Sequence, residues 1–159
     1  MHMINSVPPN QPQQSNIAIF VSKVADITLP ANEGASISYG DVPRTVAAQL
    51  ANDHLVLVRK WLDDLQRPPD LSDSKYVTFI CYCMSFFVHS DKLWCKYSQG
   101  RHKLVVTPSS RIVVLRAAHD DIGHKGFYVT NSLISLRFWW PHMRTNIAWF
   151  IRTCRLCQL

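Results

Sequence analysis

Two histidines and two cysteines near the end of the chain, His119, His124, Cys154 and Cys157, follow one another with four, twenty-nine and two residues between them. No other feature constrains the fold as strongly. Zinc is held by four nitrogen or sulfur donors in a tetrahedron, and a structural site is assembled from two short ligand pairs that the fold brings together. Two imidazoles and two thiolates complete that shell and leave no position for a reactive water. One structural Zn2+ is therefore expected, as a staple for folding and not as a Lewis acid. Spacing alone leaves bland alternatives standing. Cys154-Arg-Leu-Cys157 by itself also fits a redox pair, and seven histidines in 159 residues fall close together readily.

The local sequence says how each pair is to be presented. His119 and His124 are five positions apart, slightly more than a straight helix needs to stack them on one face. Gly123 supplies the backbone freedom to end a helix there and turn the second imidazole back. Cys154 and Cys157 are three positions apart, so one helical turn is expected to present both sulfurs on one side. Between the pairs the pattern breaks into two helix-like stretches around Pro141. Leu133, Leu136 and the Phe138 to Trp140 block form one apolar face. Pro141 suits the first turn of the next helix, where Met143, Ile147, Phe150, Ile151 and Cys154 recur at three- and four-residue spacing. Ser109 or Ser110 is placed to cap a preceding helix that runs through Val113, Val114, Ala117 and Ala118 into His119.

These residues resemble the HHCC (H2C2) zinc-binding N-terminal domain of integrases from gypsy-class long-terminal-repeat retrotransposons and from retroviruses. The likeness is carried by His119, Gly123-His124, Gly126, Thr130, Leu133, Phe138-Trp-Trp-Pro141, Met143, Ile147 and Cys154-x-x-Cys157-Gln158. A weaker likeness, in Phe86 to Trp94 and Lys103 to Pro108, extends it upstream to the segment that precedes the zinc domain in gypsy polyproteins. The resemblance implies a zinc domain that helps to bind retroelement DNA ends and to assemble integrase multimers, in the nucleus. An integrase also carries a catalytic core with two Asp and one Glu on magnesium. The acidic residues after position 100 are Asp120 and Asp121 alone, and an adjacent pair cannot make that site. They read instead as a solvated helix end beside the histidines. No catalytic residue is assigned, and this chain alone is expected not to be an enzyme.

Charge is placed unevenly. Residues 101–159 hold nine Lys or Arg and two Asp (net +7), whereas residues 1–100 hold eight basic and nine acidic residues (net −1). Lys125, Arg137, Arg144, Arg152 and Arg155 are candidates for phosphate contact, since Lys and Arg neutralise nucleic-acid backbones without regard to sequence. Ordinary solubilising surface is the alternative. A second class of function stays open as well: a free-standing zinc-stabilised module that binds a protein through Trp139, Trp140, Trp149 and the upstream helices.

Upstream, residues 1–40 read as a polar Pro-, Gln-, Asn- and Ser-rich arm, an apolar run Ile17 to Val21 and a linker. Residues 41–91 read as a helical extension. A first helix, Pro43 to Gln66, carries one apolar stripe of Val46, Leu50, Leu57, Trp61 and Leu65, and Pro68-Pro69 stops it. Tyr76 to Val88 reads as a buried helix, too short to cross a bilayer, and no membrane contact is expected. Residues 92–108 form a β-hairpin of Lys92 to Tyr97 and Lys103 to Thr107 turning at Gly100. Residues 109–159 form the zinc-binding domain. With no signal-peptide pattern, an intracellular, reducing setting is expected, so Cys81, Cys83 and Cys95 read as free thiols. His54, His89, His102, His142 and the Asp63-Asp64 pair are assigned no chemistry. The expected architecture is mainly α: a helical extension, a short hairpin and a three-helix zinc domain.

Overall fold

A computed structural model describes residues 45–159; the arm, the apolar run and the linker expected within residues 1–40 lie outside the described residues. The described chain is mainly helical. Its elements are α1 (Val46–Asp64), α2 (Asp73–Cys83), β1 (Phe86–His89), β2 (Lys92–Cys95), β3 (Lys103–Val105), α3 (Pro108–His119), α4 (Phe127–Ser135), β4 (Phe138–Trp139), α5 (Met143–Thr153) and a closing 3-10 turn, Arg155–Gln158.

The hairpin expected over residues 92–108 is the middle of a four-stranded sheet ordered β1-β2-β3-β4. β1 pairs antiparallel with β2 through Phe86–Cys95 and His89–Lys92, so Ser90 and Asp91 form a two-residue loop. Both have positive φ, 48° and 58°, the signature of the type I′ turn whose twist suits a hairpin. The buried helix expected to run from Tyr76 to Val88 therefore ends at Cys83, and Phe86 to Val88 belong to a strand. Arg59 of α1 clamps this turn, donating to the Asp91 carbonyl at 2.9 Å and to its carboxylate at 2.6 Å while its Nε reaches Asp63 at 2.8 Å.

On the other side, β4 joins β3 in parallel, with Leu104 opposite Phe138 and Val105 opposite Trp139. The Phe138 to Trp140 block, expected to extend a helix face, is thus an extended strand. Alternation along it decides the packing, because successive side chains of a strand point to opposite faces. Phe138 and Trp140 enter one core with Val106, Ile112, Leu115, Ile134 and Ile147, whereas Trp139 and Val105 pack on a second with Leu55, Val58, Phe79, Cys83 and Phe86. The sheet is a shared wall between a zinc-side core and an upstream core.

α1 buries a different stripe from the one its sequence suggested. Ala48, Leu55 and Val58 face the core, with Trp61 and Leu62 packed beside them, while Val46, Leu50, Leu57 and Leu65 are exposed. Apolar residues lie on both sides of this helix, and the sheet selects one. Its start is set by Thr45, whose hydroxyl accepts from Ala48 N–H at 3.2 Å, and its end by Leu65 in a left-handed conformation at φ 56°. In α3 the cap is Thr107 and Pro108 takes the first helical position, so Ser109 and Ser110 lie inside the first turn and are not caps. α5 begins at Met143, two residues beyond Pro141, because His142 precedes it in a left-handed conformation at φ 59°.

Arg111 ties the two cores together from within. It is 2% exposed, donates to the Val106 carbonyl at 3.2 Å and to Asn52 Oδ1 on α1 at 2.7 Å, and lies 5.7 Å from the Trp140 ring centre. Beside it, a cavity of about 590 Å³ opens between α1, β3 and the start of α3, lined by Asn52, Leu55, Arg59, Leu93, Val106 and Arg111 among others. Among the described residues, no helix is long and apolar enough to cross a membrane.

Candidate metal centre

α3 delivers the first histidine. Its last residue, His119, is fully buried against Phe150 of α5, and the chain then reverses within five residues. Gly123 at φ 83° and His124 at φ 53° make the reversal, and the His124 N–H returns to the His119 carbonyl at 2.8 Å. Two consecutive left-handed residues explain the wide histidine spacing. The glycine takes its conformation freely, whereas His124 takes one that a β-carbon disfavours.

α5 delivers the cysteines, though not on one turn of helix as the spacing suggested. The helix ends at Thr153; Cys154 is extended, with φ −70° and ψ 112°, and Cys157 sits on the 3-10 turn. Backbone bonds from Cys154 N–H to Ile151 O and from Cys157 N–H to Cys154 O, each 3.2 Å, hold this exit. The change of direction at Cys154 aims both sulfurs at the histidines.

The four donor atoms of His119, His124, Cys154 and Cys157 lie within 4.8 Å of one another. Cys157 Sγ is 3.3 Å from His119 Nε2, and Cys154 Sγ is 3.3 Å from His124 Nδ1. Zinc–nitrogen and zinc–sulfur bonds of roughly 2.1 and 2.3 Å put tetrahedral neighbours about 3.6 Å apart, so the cluster fits the ion closely. The histidine orientations agree. His119 Nδ1 is 2.7 Å from the Lys125 carbonyl, which also accepts from the Thr130 hydroxyl at 3.0 Å. An Nδ1–H donated to that oxygen leaves Nε2 with its lone pair facing the sulfurs, the arrangement a metal-ligating histidine needs. The Cys157 thiol is pushed above its ordinary pKa, first by lost hydration, then by the hydrogen bond and charge of Cys154 and the charge of Asp120. A cation at the centre relieves all of these electrostatic penalties at once.

The other residues singled out in the sequence divide by position. Lys125, Arg144, Arg152 and Arg155 are exposed around the centre; Arg137 is half-buried beside β4, and its carbonyl accepts from Leu104. Arg144 lies over the Phe127 ring at 5.3 Å. Trp140 is 1% exposed and donates from Nε1 to Asn146 at 2.9 Å, so it offers no contact to a partner. Trp139 packs on Phe86 at 5.6 Å between ring centres, and Trp149 is half-buried against the zinc-side core. His54 stacks on Tyr82 and Phe79, and His102 accepts the Tyr97 N–H at 3.2 Å; both are structural. Arg111 and Thr130, which the structure makes central, were given no role in metal support or packing from the sequence, where an arginine in a mixed helix and a threonine before an apolar run carry no distinguishing signal.

With the geometry in hand, residues 106–159 match the family described as the integrase zinc binding domain. No solved structure matches the chain.

Proposed function

We propose that, with its C-terminal third an integrase-type zinc-binding domain, this chain is part of the integrase of a gypsy-class long-terminal-repeat retrotransposon. It works by binding: to the DNA ends of the element, and to integrase partners in a multimer. The convergence of His119, His124, Cys154 and Cys157 on one point carries this reading. These four would hold a single Zn2+, which supplies cross-linking between the end of α3 and the end of α5. His119 and His124 fix one side, Cys154 and Cys157 the other, and Lys125 orients His119 from behind. With four protein donors, this centre is fitted to hold the fold and has no assigned catalytic residue.

Exposed Lys125, Arg144, Arg152 and Arg155 support the nucleic-acid part of the proposal, together with the net charge of +7 over residues 101–159. A nuclear site of action follows from the same reading. Binding of the zinc-loaded chain to fluorescent duplex DNA, followed by anisotropy across a salt series, tests it. Backbone contact predicts a log-log slope of roughly −0.9 per phosphate neutralised, hence a steep loss with salt, and a slope lowered by alanine at Arg144, Arg152 and Arg155. Affinity indifferent to salt and to these substitutions rejects DNA contact through this face.

One observation favours a second reading, a free-standing protein-interaction module. Val46, Leu50 and Leu57 remain exposed along α1, and Tyr128, Val129 and Leu136 along α4. A salt-insensitive complex with another protein that fails on Leu50→Asp would favour it.

A further inference from the structure

We propose that Asp120 is a fifth donor to the metal, so that the centre is a His2Cys2 site carrying a carboxylate and a net negative charge. The inference rests on the zinc reading of the four-residue cluster and deepens it. Asp120 Oδ1 lies 3.7 Å from His124 Nδ1 and 4.0 Å from His119 Nε2. Those two nitrogens are the ones that face Cys154 and Cys157. The carboxylate is therefore beside the metal-facing edge of both rings and not behind them, where an orienting partner such as the Lys125 carbonyl stands. Bonds of about 2.1 Å keep any two donors of one shell within about 4.2 Å, and both separations satisfy that limit.

Position and charge point the same way. Asp120 follows the last residue of α3, at the end where the helix dipole is negative and a carboxylate is unfavourable unless a cation offsets it. Its backbone is pinned on both sides, with its N–H on the Arg116 carbonyl at 2.8 Å and its own carbonyl accepting from Gly123 at 3.3 Å. The side chain is 37% exposed, so it lies where water and an entering ion meet the buried His119. Zinc with two thiolates and two neutral imidazoles has no net charge; the carboxylate makes the shell anionic and oxygen-containing, a change that zinc accommodates by expanding to five donors.

Cobalt reports this directly, because its d–d absorption is strong in four-coordinate sites and weaker in five-coordinate ones. The full chain is loaded with Co2+ as wild type, Asp120→Asn, Asp120→Ala and Asp121→Asn, and Zn2+ affinity is read by competition with a chromophoric chelator. The expected result is a weak d–d band in wild type that strengthens in both Asp120 variants, with zinc affinity lowered about tenfold. Asp121→Asn, an exposed neighbour, should match wild type in both readouts. Spectra of the Asp120 variants that superimpose on wild type overturn the inference, even if affinity falls, because the carboxylate then acts only through its field. Wild type that takes up no metal overturns the zinc reading itself, a different result from metal bound with unchanged spectra.

Discussion

Trp139 and Trp140, adjacent in the chain, occupy different cores: Trp139 packs on Phe86 in the upstream cluster, whereas Trp140 is buried with Ile112, Ile134 and Ile147 in the zinc-side cluster. Two neighbouring substitutions should therefore damage different halves of the molecule. Trp140→Ala removes a fully buried ring and strands the Asn146 carboxamide, and a loss of about 3–5 kcal/mol is expected in denaturant unfolding. Trp139→Ala, half-buried, should cost less and leave zinc affinity nearly intact. Equal effects of the two on zinc affinity would contradict the division of the cores by the sheet.

The same pair shows where the sequence is legible and where it is not. Ligand identity was readable because metal chemistry demands particular residue types at short spacing, and Gly123 marked the turn that the histidines need. The sheet was not readable at its edges. β4 is two residues long and exists because β3 offers a parallel partner thirty-odd residues away, and Phe138-Trp-Trp140 taken alone satisfies a helix as well as a strand. β1 was hidden by its turn, since Ser90-Asp91 lacks the glycine that usually marks a type I′ hairpin. For α1 the helix was clear and its buried face was not, because Val46, Leu50 and Leu57 compete with Ala48, Leu55 and Val58 and only the tertiary partner decides.

Arg111 and Asn52 connect the cores across 59 positions of sequence. A buried guanidinium with hydrogen bonds to charged or polar partners is costly to truncate, since the groups it satisfied stay buried. Arg111→Ala is expected to lower stability by about 2 kcal/mol, and Asn52→Ala by about 1 kcal/mol. Because the residues touch, the double variant should lose less than the two separate losses combined. Strict additivity in chemical denaturation would show that the bond across the cores contributes nothing.

Cysteine reactivity should separate sharply along α2. Cys83 is fully buried, and burial pushes its thiol up to about 11, so little thiolate is present near neutrality. Cys81, two residues earlier, is exposed. Iodoacetamide at pH 8 on the native, metal-loaded chain should label Cys81 rapidly and leave Cys83 unmodified until denaturant is added, as peptide mass mapping will show. Rapid labelling of Cys83 in native protein would mean that the upstream core opens readily.

Thr130 tests whether His119 is held from behind. Its hydroxyl and His119 Nδ1 share the Lys125 carbonyl, which fixes that oxygen and through it the ring. Thr130→Val keeps the shape and removes the bond, so zinc affinity should fall by about tenfold or more while zinc stoichiometry stays at one per chain. Unchanged affinity would assign the orientation of His119 to packing against Phe150 alone.

Removal of the metal should be felt beyond the residues that bind it. His119 is fully buried, and the two ends it joins are otherwise held by short contacts at the exit of α5, so a strong chelator is expected to unfold α3 to α5 and lower the helical circular dichroism. β4 would then leave β3, and the Phe86–Trp139 contact with it, so fluorescence from the upstream core should change in the same transition. Acid should act as the chelator does. Protons compete with the metal for both thiolates, and the raised pKa of Cys157 strengthens that competition, so zinc affinity is high at alkaline pH and falls as pH drops. His119→Ala with His124→Ala should abolish uptake at every pH. One zinc retained per chain in that double variant, with the circular dichroism of the wild type, would remove the metal from the account of this fold.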